Sequence, residues 1–61
     1  MYIVTVSKNG EDYFLRGHVW AFRVSRAFEY DDEPTARIAL ALARPYMPAN
    51  VYKAARVIEI D

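Results

Sequence analysis

The chain of 61 residues has no cysteine, a single histidine and only two glycines. Without cysteine it can form no disulfide, and it has no Cys/His set that could hold a structural zinc ion. Its longest strictly apolar run, 38–43, is far too short to span a bilayer. Eight basic and eight acidic residues cancel, so the net charge favours neither nucleic acid nor a membrane surface as a partner. The lack of cysteine and of a leader sequence predicts a cytoplasmic location.

Apolar residues are what the chain has in quantity: 54% of it is hydrophobic and 15% aromatic. The length permits one domain, residues 1–61. A domain of this size buries only about 60% of the surface of its unfolded chain. We therefore predict a tightly packed apolar core, or a core that a partner surface completes.

The N-terminal half predicts three strands. Residues 2–7 and 12–16 form a hairpin around Asn9 and Gly10, because Asn-Gly is the strongest short hairpin signal. Residues 18–30 alternate with period two, but one strand of that length would be too long for so small a globule. We expect two short strands, or one strand and a turn, with the bend at Ser25 and Arg26.

The C-terminal half predicts one helix and one strand. Asp31 or Asp32 caps the helix, Pro34 suits its first turn and Pro45 ends it after Arg44. Residues 45–50 form a loop, and 56–60 form the last strand. The expected fold class is α+β, with a single antiparallel or mixed sheet and the helix packed on one face. The simplest arrangement places the last strand parallel to the first.

Apolar residues surround more than half of the predicted helix. Ile38 and Leu42 share one face, and Leu40 lies on nearly the opposite side. A thin domain that covers the helix on one side is expected to leave Leu40 or Met47 partly uncovered.

The polar residues do not predict an enzyme. His18 is the only histidine, and no hydroxyl is placed by the sequence beside a base that could activate it. The acidic residues show no spacing typical of metal ligands, and the two isolated glycines form no phosphate-binding loop. We expect no catalytic residue, no metal and no cofactor.

Trp20 is followed by Ala27, Tyr30 and Ala36 at successive spacings of seven, three and six residues. An aliphatic residue, Val24, lies four residues after Trp20. With the N-terminal hairpin and a C-terminal strand containing Val57, Ile58 and Ile60, this pattern resembles a broad class of small phage- and prophage-encoded proteins. Small phage proteins of this size include anti-CRISPR proteins and other inhibitors of host or defence machinery. The resemblance implies a non-enzymatic inhibitor that binds a host or defence-system protein in the host cytoplasm and blocks it sterically.

Two departures from the class add apolar surface. The sequence Ala21-Phe22-Arg23 stands where the class usually has polar turn residues, and the helix is rich in Ala and Leu instead of Lys and Glu. Both changes favour an additional interface.

The predicted interface combines aromatic, basic and acidic residues, because Tyr, Trp and Arg are enriched at interface hot spots. Trp20, Phe14, Phe28 and Tyr30 are assigned mostly to the core. The acidic stretch 29–33 either caps the helix and complements its dipole, or forms an anionic patch directed at arginines of a nucleic-acid-binding protein. The predicted protein-binding residues are Tyr13, Phe22, Arg23, Arg26, Glu29, Asp31, Asp32, Glu33, Tyr46 and Tyr52.

Two other functions stay open. The chain could form a homodimer through an open sheet edge or through the helix. It could also bind single-stranded nucleic acid weakly, because Arg16, Arg23 and Arg26 lie on or beside strands rich in aromatic residues. The zero net charge weighs against nucleic acid, since such binders normally show a basic excess.

Overall fold

A computed structural model describes all of residues 1–61. It contains four strands, two α-helices and two short 3₁₀ turns. The strands are β1 (Tyr2–Lys8), β2 (Glu11–Arg16), β3 (Val19–Ala21) and β4 (Arg56–Glu59). The helices are α1 (Glu33–Ala43) and α2 (Ala49–Ala54), and the 3₁₀ turns are Val24–Arg26 and Arg44–Tyr46. Neither helix has the length and continuous apolar sequence that crossing a membrane requires.

The four strands form one open antiparallel sheet in the order β3-β2-β1-β4, with α1 packed against it. This confirms the predicted α+β class. The parallel placement of the last strand is wrong, because β4 pairs antiparallel with β1. The reason lies before α1, where Tyr30 pairs antiparallel with Tyr2. The chain therefore enters α1 at the end of the sheet where β1 begins. The helix carries the chain to the other end, so β4 returns antiparallel to β1.

Two tight turns join the first three strands. Asn9 and Gly10 adopt φ values of 55° and 80°, as the predicted Asn-Gly hairpin requires. Gly17 adopts a φ of 70° and, with His18, joins β2 to β3. A residue with a Cβ is disfavoured at such a φ, which explains why a glycine stands at this second hairpin.

The segment between β3 and α1 bends where the sequence predicted. The 3₁₀ turn Val24–Arg26 contains both predicted bend residues. Beyond it, the Phe28 amide donates to the Leu15 carbonyl at 3.1 Å, and Tyr30 exchanges two hydrogen bonds of 2.8 Å with Tyr2. The segment thus contacts β1 and β2 together, which satisfies its backbone groups without a long strand.

The start and end of α1 follow the predicted signals. The Asp32 carboxylate accepts from the Thr35 amide at 2.8 Å, and Pro34 occupies the first turn. The α-helix ends at Ala43, and Pro45 lies within the following 3₁₀ turn. The loop prediction for 45–50 is only partly right, because α2 begins at Ala49 within it.

Of the two residues expected to be partly uncovered, Met47 is half-buried, whereas Leu40 is buried. Leu40 is only 8% exposed and packs with Ala36 and Ala43 onto Val4 of the sheet, whereas Leu42 is 73% exposed. Ala36 and Ala43 flank Leu40 on one face, and their small side chains let the helix approach the sheet closely. The face with Ile38 and Leu42 therefore points away from the core.

Large aromatic residues lie mainly around the core and not at its centre. Trp20 and Tyr30 pack against it and are partly buried, and Phe14 is half-buried. Phe28 is exposed, so its assignment to the core is wrong. The guanidinium of Arg16 lies 4.9 Å from the centroid of the Phe28 ring, which explains how this ring is accommodated at the surface.

Candidate functional site

An open cleft of about 410 Å³ lies between the β1–β2 hairpin and the chain segment that follows α1. We call it the aromatic cleft. Six of its nine lining residues are hydrophobic, and three carry large aromatic rings. The lining residues are Val6, Lys8, Asn9, Tyr13, Trp20, Tyr46, Met47, Pro48 and Val51.

The cleft exists because α1 covers only part of one sheet face. Strand alternation places Val6 on the same face as Val4, and the register sets Tyr13 opposite Val6. The helix packs over Val4 and Leu15 and ends at Ala43. The segment beyond it, with two prolines, covers the remaining face incompletely.

Two aromatic pairs border the cleft. The Tyr13 and Phe22 rings lie 5.4 Å apart at 57°, and the His18 and Tyr46 rings stack at 4.3 Å and 26°. Phe22 and Tyr46 nevertheless stay 76% and 63% exposed. Each pair therefore holds an exposed ring in a fixed position at the surface. A ring that is already fixed loses little conformational entropy when a partner binds.

Trp20 connects the cleft to the core. It lines the cleft, pairs with Leu15 across β2 and β3, and packs against the core cluster. Its indole N–H is buried and has no hydrogen-bond acceptor. An unsatisfied buried donor costs about 1–3 kcal/mol, so hydrophobic packing alone must hold this ring in place.

The polar groups at the cleft are few. Lys8 is the only charged residue in the lining, which contains no carboxylate. The Tyr13 hydroxyl donates to the Glu11 carboxylate at 3.2 Å, and this hydrogen bond raises the pKa of Tyr13 above its usual value. Tyr13 is therefore neutral at physiological pH, and Lys8 is the only charged residue in the lining, with Glu11 opposite it in the hairpin.

Three of the four predicted aromatic interface residues come together here. Tyr13 and Tyr46 line the cleft, and Phe22 contacts Tyr13. Tyr52 does not join them: it packs against the core, and the Arg44 guanidinium lies 4.9 Å from its ring centroid. Met47, which the sequence indicated only as a partly uncovered residue and not as part of an interface, lies in the cleft just after the 3₁₀ turn that follows α1.

The predicted basic residues lie away from the cleft. Arg23 and Arg26 are exposed at the 3₁₀ turn after β3. The Arg26 carbonyl accepts from the Arg16 guanidinium at 3.1 Å, which ties the turn to β2. Neither predicted arginine has a side-chain hydrogen bond, so both remain available for contact.

The predicted acidic residues divide into two groups. Asp32 caps α1, and hydrogen bonds from the Thr35 side chain and amide lower the pKa of Asp32. Glu33 pairs with Arg37 at 2.7 Å. Glu29 and Asp31 are exposed and make no side-chain hydrogen bond or ion pair. Capping and dipole complementation therefore account for Asp32 and Glu33, whereas Glu29 and Asp31 have no such role.

The structure contains no group of three or more His, Cys, Asp or Glu side chains placed to hold a metal ion. Comparison with models of protein families, with curated proteins and with solved structures finds no match for this chain. Function is therefore inferred from the aromatic cleft and the surface around it. The fold and the cleft define a small α+β domain with an open apolar surface.

Proposed function

We propose that the protein binds a partner protein through the aromatic cleft and blocks the surface that it covers. The exposed rings of Phe22 and Tyr46 beside an apolar cleft carry this proposal. Exposed apolar patches commonly mark contact sites, and aromatic side chains dominate interface energetics. Burying one ring of this size contributes about 1.5–3 kcal/mol, so the two rings supply part of the binding free energy and the rest of the cleft must supply the remainder.

The cleft lining favours a particular kind of contact. Its apolar wall, with the adaptable side chain of Met47, fits an apolar side chain that projects from the partner. Lys8, as the only charge in the lining, favours an acidic group next to that side chain. The mechanism is steric occlusion and needs no reactive group in the cleft.

The identity of the partner is proposed from the sequence pattern. The spacing of Trp20, Ala27, Tyr30 and Ala36 resembles that of small phage-encoded proteins. This supports a host or defence-system protein as the partner, and it would place the encounter in the host cytoplasm. Arg23 and Arg26 on one side, and Glu29 and Asp31 on another, supply charges that can orient the approach.

Affinity capture from host cells with matched variants tests the cleft. The double variant Phe22→Ala/Tyr46→Ala removes two exposed rings, and Val19→Ala removes exposed apolar surface at β3, outside the cleft lining. We expect the double variant to lose at least about tenfold in affinity for a captured protein, since hot-spot truncations cost more than about 1 kcal/mol each. The Val19 variant should bind as the unmodified chain does. A capture profile that is the same for both variants, or no partner above background, would contradict the proposal.

A second variant tests the anionic patch. Glu29→Lys/Asp31→Lys reverses two exposed charges that make no side-chain hydrogen bond or ion pair, so thermal stability should change little. Reduced capture would extend the interface to the start of α1. Unchanged capture would confine the interface to the cleft and leave the acidic stretch with only the helix capping and dipole roles of Asp32 and Glu33.

A further inference from the structure

The outward side of α1 carries an apolar stripe separate from the aromatic cleft. Ile38 and Leu42 are 60% and 73% exposed, while Leu40 faces the core. At about 100° per residue, Pro34, Thr35 and Ala41 lie on the same side, and Thr35 is the polar residue among them. We call Pro34, Ile38, Ala41 and Leu42 the outer stripe. It contains no charged residue, and none of its members lines the aromatic cleft.

The charges at the two ends of α1 are opposite in sign. Asp31, Asp32 and Glu33 lie at the N-terminal end, and Arg44 follows the C-terminal end. If two copies of this helix lie antiparallel, the acidic end of each comes next to Arg44 of the other. A parallel pair would bring acidic ends together. The distribution of charge therefore makes the stripe complementary to itself under a twofold axis.

Helix dipoles favour the same orientation. Each helix carries partial positive charge at its N-terminus and partial negative charge at its C-terminus. Antiparallel packing sets these ends against their opposites. Ala41 lies about 60° from Ile38 on the side away from Leu42, and its small side chain leaves room for the two helices to approach each other.

We propose that α1 packs antiparallel against α1 of a second copy through the outer stripe, which forms a twofold-symmetric dimer. A helix of 11 residues is about 16 Å long. A standard interface buries about 800 Å² per partner, which is nearly a fifth of this molecule's surface of 4361 Å². One helix offers less than that, so the dimer is weak and forms as the concentration rises.

Sedimentation equilibrium from micromolar to millimolar concentration tests the dimer. The mass of 7.1 kDa for one chain should rise towards twice that value. Leu42→Lys should lower the association constant at least tenfold, whereas Val19→Lys, an equivalent change at β3 outside the stripe, should not. Circular dichroism checks that both variants stay folded. A single-chain mass at every concentration, or equal effects of the two substitutions, would overturn the proposal and leave the stripe to a different occupant.

A charge reversal tests the orientation of the two helices. Arg44→Glu should weaken dimerisation, and the added change Asp31→Lys should restore part of it, because it lowers the opposing acidic end from three negative charges to a net of one. Dimerisation that is indifferent to Arg44→Glu would refute the antiparallel arrangement. Phe22→Ala/Tyr46→Ala should leave the association constant unchanged, so failure of the dimer and failure of cleft binding are distinguishable.

Discussion

The two leucines of α1 offer a matched test of how the helix sits on the sheet. Leu40 is 8% exposed and belongs to the core cluster, and Leu42 is 73% exposed two residues further along. Leu40→Ala and Leu42→Ala remove the same atoms from the same helix. Intrinsic helix propensity changes little in either variant, because leucine and alanine are both strong helix formers.

The expected losses differ severalfold. Truncation of a buried leucine typically costs about 2.7–5 kcal/mol, and the slight exposure of Leu40 places it near the lower end, at about 3 kcal/mol. Proteins have roughly 0.05–0.15 kcal/mol of stability per residue, or about 3–9 kcal/mol for this length. Leu40→Ala therefore removes a third or more of the total. Leu42→Ala should stay within about 0.5 kcal/mol.

Urea denaturation followed by circular dichroism measures both variants. The Leu40 variant should also lower Tm by roughly 12–24 °C, at about 4–8 °C per kcal/mol for a domain of this size. The measurement is repeated after dilution, so that dimerisation does not contribute to the Leu42 value. Equal losses, or a larger loss at Leu42, would mean that the helix presents its other face to the sheet.

Two further predictions concern the helix cap and a turn. The pKa of Asp32 is lowered by hydrogen bonds from Thr35, so the stabilisation is complete above the unfolded-state pKa and is lost as the pH falls through the folded-state pKa. Asp32→Asn should therefore weaken the decline of Tm between neutral pH and about pH 2, and an unaltered decline would contradict the capping role. At Gly17, where φ is 70° and an added Cβ would lie 3.5 Å from Phe28, alanine should cost about 1–2 kcal/mol in urea denaturation. Gly17→Asn should cost less, because asparagine tolerates this conformation; equal costs would argue against backbone strain as the cause.

Features with local signals were predictable from the sequence. The first hairpin depends on Asn9 and Gly10, and α1 depends on Asp32 and Pro34, all of which act within a few residues. The direction of β4 was not predictable, because it depends on the contact between Tyr30 and Tyr2 far apart in the chain. Local periodicity carries no information about such a path.

The orientation of α1 was ambiguous for a different reason. Both sides of the helix are apolar, so hydrophobicity alone could not choose between Leu40 and Leu42. The deciding factor is the size of Ala36 and Ala43, which permits close packing on the sheet. Residue type identified Tyr13, Phe22 and Tyr46 as candidates, but the cleft that brings them together depends on where α1 ends. Whether these residues bind a partner stays a prediction.

The place of β1 in the sheet has a consequence for aggregation. Its residues 2–7 form an uncharged run, mostly β-branched, of the kind that assembles into cross-β fibrils when its edge is free. One edge of β1 is covered by β2, which a short turn joins to it. The other edge is covered by only four residues of β4, which almost the whole chain separates from β1 in sequence. Local opening of β4 uncovers a template for intermolecular strand addition while the hairpin is still intact. We therefore expect that loss of the pairing between β4 and β1 promotes fibril formation by this protein.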